Sequence, residues 1–71
     1  MQMVEVFKTN IIHQQEARHV VELLLSVFPA FRINIDLMDC DNILRVEGLQ
    51  VKADKIIELV SARGYFCDVL D

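Results

Sequence analysis

The sequence predicts an α+β fold in a single small domain spanning residues 1–71, and three observations carry that reading. Two segments place apolar residues three and four apart, and four short segments alternate apolar with polar residues. Two glycines and one proline are too few for a disordered, collagen-like or repeat chain. Hydrophobic residues make up 54% of the chain, which is rich for a size where ordering costs roughly 1.5 kcal/mol per residue and burial returns about 25 cal/mol per Å². The core has to use nearly all of them, which favours a two-layer fold with a self-associating face over a lone monomer.

Residues 3–8, Met-Val-Glu-Val-Phe-Lys, read as a first strand by period two, with Val4 and Val6 expected inward, Met3 and Phe7 outward, and an end at Thr9-Asn10. Over residues 13–28, Ala17, Val20, Val21, Leu24, Val27 and Phe28 recur at three and four. Gln14, Arg18, Glu22 and Ser26 fall on the other side, an amphipathic helix stopped by Pro29. Phe31, Ile33, Ile35 and Leu37 alternate with Arg32, Asn34 and Asp36, the most regular half-buried strand of the chain. Residues 39–42, Asp-Cys-Asp-Asn, are turn formers. Leu44 and Val46 then alternate with Arg45 and Glu47 over residues 43–48, making an antiparallel hairpin with the preceding strand. Ala53, Ile56, Ile57 and Val60 mark a second helix over residues 52–63, with Gly64 suited to left-handed dihedrals after its end. Residues 65–70 are the last strand.

The element string β-α-β-β-α-β, with right-handed crossovers, packs both helices on one face of an antiparallel sheet in the ferredoxin-like arrangement, with strand order 4-1-3-2. That topology gathers three loops at one end: residues 9–15, 39–42 and 63–66.

Charge narrows the partners. Seven Lys and Arg against eleven Asp and Glu give a net charge of −4, so no basic stripe is present to neutralise phosphates, and nucleic acid is not an expected partner. The longest run of strongly apolar residues, Leu23-Leu24-Leu25, falls far short of the ~20 residues of a bilayer span, and residues 1–8 lack the apolar region of a signal peptide. The expectation is a cytoplasmic, soluble protein with no membrane partner. Cys40 and Cys67 are expected as free thiols, because the predicted strand order separates them by about 10 Å, beyond the ~7 Å reach of Cα atoms in a disulfide.

Length, element order and the late Arg63-Gly64-Tyr65 step into the last strand resemble the heavy-metal-associated domain family, the small copper chaperones and N-terminal modules of metal-transporting P-type ATPases. The resemblance spans the whole chain and implies the same ferredoxin-like fold. It also implies a Met-x-Cys-x-x-Cys loop opening the first helix, where two thiolates hold a soft ion such as Cu(I). Here that loop reads Asn10-Ile11-Ile12-His13-Gln14-Gln15-Glu16. Counting back from Val20 puts Ile11 at the Met position and His13 and Glu16 at the two Cys positions. Both thiolates are missing, so the resemblance implies a degenerate member that kept the scaffold without the soft-metal site and its cofactor.

His13 and Glu16 stand three apart on one helix face, and with Cys40 from the hairpin tip they are the candidate ligands of a divalent metal such as zinc. The plainer reading leaves Glu16 favouring the helix N-terminus and His13 in solvent. Asp36, Asp39, Asp41 and Asn42 lack the glycine and bidentate Glu of a calcium loop and read as turn formers. Cys67, alternating with Tyr65 and Val69, reads as a small inward residue. No nucleophile stands with a base and no Gly-rich loop is present, so no enzyme is expected. Three classes remain: a protein-interaction or self-association module, an atypical metal-handling protein, and a small-ligand regulatory domain. For the first, Met3, Phe7, Ile43, Phe66 and Leu70 are the candidate interface, outward on three adjacent strands.

Overall fold

In the computed structural model, which describes residues 2–38, 40 and 42–70, the chain runs β1 (Met3–Thr9), α1 (Gln14–Val27), β2 (Arg32–Asp36), β3 (Ile43–Gly48), α2 (Ala53–Ala62) and β4 (Cys67–Val69). The fold is α+β: four antiparallel strands in the order β2-β3-β1-β4, and two helices. Counted from the other edge, the same neighbours read 4-1-3-2. Ala17, Val20 and Leu24 of α1 join Ile56 and Val60 of α2 in one core with Phe7, Leu44, Val46 and Cys67, so both helices cover the same side of the sheet. The other side is bare of any described element.

The helix ends follow from backbone chemistry. Phe28 turns out of the helical region (φ −126°, ψ 72°), as a residue before proline must, while its N–H still donates to Leu24 O at 2.8 Å. At the end of α2, Arg63 N–H reaches Val60 O at 3.1 Å and Gly64 N–H reaches Ser61 O at 2.9 Å, the tightened turn that closes a helix. Gly64 follows at φ +93°, a dihedral that other residues adopt only with strain. His13 and Lys52 flank the helices as N-caps rather than opening them.

β1 is turned over relative to the sequence expectation. Phe7 is fully buried and Thr9 nearly so, whereas Val4 is exposed and Val6 only partly covered. Register is the reason: Phe7 sits opposite Leu44 and Glu5 opposite Val46, which puts the odd residues of β1 on the face that β3 buries. Met3 shares that parity at the open end of the strand, 37% exposed. Phe7 and Met3 therefore do not belong to an outward interface.

β4 is also shorter than expected. Its ladder with β1 covers Cys67–Val69, and the flanking residues are held by single bonds: Leu70 N–H donates to Val6 O at 2.8 Å and Phe66 N–H to Asn10 Oδ1 at 2.8 Å. At the opposite end of the sheet, the Phe31 ring lies over Gly48, where a Cβ would overlap its edge. Phe31 in turn stacks on Phe28, centroids 4.8 Å apart and planes 11° from parallel, closing the core beside the α1–β2 turn.

Candidate functional site

Two side chains tie the loop end together. Thr9, the last residue of β1, donates from Oγ1 to Asn42 O at 2.7 Å and accepts from Ile11 N–H at 3.2 Å. Asn42 takes φ +48° to present that carbonyl, a dihedral Asn tolerates better than most residues. Asn10 ties the same loop to Phe66 ahead of β4. Ile11, fully buried, then plugs the core beneath this cluster.

His13, Glu16 and Cys40 belong to this end but do not make a metal centre. His13 and Cys40 are exposed, Glu16 half-buried in the first turn of α1, and His13 makes no side-chain capping bond. Among the described residues no group of three or more His, Cys, Asp or Glu is placed to hold a metal ion. The three predicted ligands are therefore not assembled. Asp36 accepts Met38 N–H at 3.0 Å in a local turn, and Asp39 and Asp41 lie outside the described residues. Cys67 is buried, and burial, followed by the Asp68 carboxylate beside it, pushes its thiol up from 9.0 to about 11. A thiol held neutral is neither a nucleophile nor a good ligand. Two described hydroxyls are spent on structure, that of Thr9 and that of Ser26, whose Oγ donates to Leu23 O at 2.6 Å.

The bare sheet face is the larger feature. The strand registers align Arg32, Glu47 and Val4 in one row, Asn34, Arg45 and Val6 in the next, and Asp36, Ile43, Lys8 and Asp68 in a third. Leu70 continues beside Val6, and Phe66 stands past the end of β4, 51% exposed. Ile43, Phe66 and Leu70 thus keep their expected outward place, and Val4 and Val6 take the places assigned to Met3 and Phe7. The signal for that exchange was in the sequence: of the two parities of β1, the one holding Phe7 offers the larger side chain to the core. The loop ties of Thr9 and Asn10 left no such signal, since their partners lie 33 and 56 residues away.

No protein-family model, no curated protein and no solved structure matches the chain.

Proposed function

We propose that this chain is a small non-enzymatic interaction module that associates with a second copy of itself, built on a ferredoxin-like scaffold similar to heavy-metal-associated domains but without their soft-metal site. The β-α-β-β-α-β order with both helices on one side supports the scaffold reading. The charge of the bare face carries the functional one. Lys8, Arg32 and Arg45 balance Asp36, Glu47 and Asp68 there, so the face is neutral although the chain carries −4. Two copies that meet on this face set balanced described charges against each other, and Val4, Val6, Ile43, Phe66 and Leu70 supply apolar area.

The test is Val6→Glu with Leu70→Glu, followed by sedimentation across a concentration series. The wild-type chain is expected to associate at micromolar concentrations and the variant to associate more weakly, with its circular dichroism unchanged. A wild type that remains monomeric at high micromolar concentration ends the self-association reading. Phe7→Glu is no substitute, because it places a charge in the core.

A further inference from the structure

A sheet has edges as well as faces, and the two edges of this one are unlike. β4 is three residues long. Leu70 N–H points inward to Val6 O, so Val69 N–H, one residue earlier, points to the open side, where the Asp68 carboxylate accepts it at 2.9 Å. One donor of that short edge is thus taken by its own side chain. β2 is five residues long, contains neither Gly nor Pro, and pairs on one side only, with β3. Among the described residues no side chain bonds to its main chain, which leaves an open row of donors and acceptors.

The side chains along this open edge read as their own complement. β2 is Arg-Ile-Asn-Ile-Asp, so a copy laid antiparallel about Asn34 sets Arg32 against the partner's Asp36 at both ends and Ile33 against the partner's Ile35 between them. Arg32 and Asp36 share the bare face, and the two isoleucines share the face toward α1. Beside them runs a shallow groove of about 250 Å³, walled by Ala17 and Val21 and rimmed by Arg18 and Glu22 of α1. Among the described residues none of these four charges is in an ion pair; the one present joins Lys55 and Glu58.

We propose that a second copy of the chain pairs antiparallel along β2, across a two-fold axis at Asn34, to make one continuous eight-stranded sheet. The inference rests on the self-association reading and adds an edge contact along β2 to the face contact proposed there. The occupant is a copy, and not an arbitrary extended peptide, because the charged row of β2 and its isoleucine pair are both self-complementary about Asn34.

Charge exchange tests it. Arg32→Asp sets acid against acid at both ends of the pairing, and Asp36→Arg sets base against base, so each single variant is expected to dimerise roughly tenfold more weakly than wild type. An equimolar mixture of the two single variants juxtaposes only opposite charges. It is expected to recover association as a heterodimer, read by native mass spectrometry with one variant isotopically labelled. The double variant Arg32→Asp with Asp36→Arg, complementary again within one chain, is expected to self-associate like wild type, which also covers the case of a single variant that folds poorly. A mixture no tighter than its components, or a dimer indifferent to both single changes, overturns the edge pairing. If Val6→Glu with Leu70→Glu then disperses that indifferent dimer, self-association stands and the edge pairing alone is lost. A monomeric wild type removes both.

Discussion

Cys67 shows how one position decides chemistry. Its thiol lies under the helices between Thr9 and the end of α2, and burial with the neighbouring Asp68 holds it protonated to about pH 11. A group whose folded pKa is raised favours the fold fully below its unfolded value and loses that contribution as pH climbs. Stability should therefore decline from pH 9.0 toward about 11, and Cys67→Ala, though less stable throughout, should show a shallower decline in that window. Reactivity follows the same logic. Ellman's reagent at pH 8 is expected to modify one thiol per chain at once, the exposed Cys40, and the second only after denaturation. Two thiols reacting at one rate would contradict the burial of Cys67. Ile11 makes the complementary point. The resemblance aligns it with a metal-loop methionine, yet it is wholly inside, held by the Thr9 hydroxyl that fixes its backbone.

Element by element, legibility tracks how one-sided the hydrophobic pattern is. β2 alternates cleanly because it is an edge strand with one covered face, so its register and facing could be read directly. β1 is a central strand with Met3, Val4, Val6 and Phe7 apolar on both parities, and period two alone could not choose its inner face. The register with Leu44 and Val46, a long-range property, chose it. β4 read too long because the chain on either side of it is extended but has only a side-chain or single main-chain partner. Of the site, the outward placing of Ile43, Phe66 and Leu70 was legible from strand parity. The plainer sequence reading also gave His13 in solvent and Glu16 in the first turn of α1, whereas the placing of Cys40 was not legible, since it depends on how the loops settle above Thr9 and Ile11. The β3 end offers a test at this scale. Gly48→Ala would drive a methyl group into the Phe31 ring and displace it from Phe28, so a loss of about 1–3 kcal/mol in chemical denaturation is expected. An unchanged midpoint would mean that the ring moves aside freely.

Over the whole molecule, charge and cover are divided between the two sides of the sheet. Among the described residues the bare side balances three basic against three acidic side chains, and the helices cover the other side. No described helix is long and apolar enough to cross a membrane. Among the described residues neither thiol belongs to a group of three or more His, Cys, Asp or Glu placed to hold a metal, Cys67 being buried and neutral and Cys40 exposed. Anaerobically purified protein is therefore expected to carry no stoichiometric copper by elemental analysis, and one copper per chain would overturn the degenerate-loop reading. The Asp68 carboxylate on Val69 N–H has a last consequence for assembly size. A sheet that can be extended from both sides is a template for unlimited stacking along its hydrogen-bond direction, the geometry of fibrils. Pairing along β2 leaves β4, three residues long and with Val69 N–H taken by its own aspartate, as the outer edge at both ends, and strand addition stops at two copies.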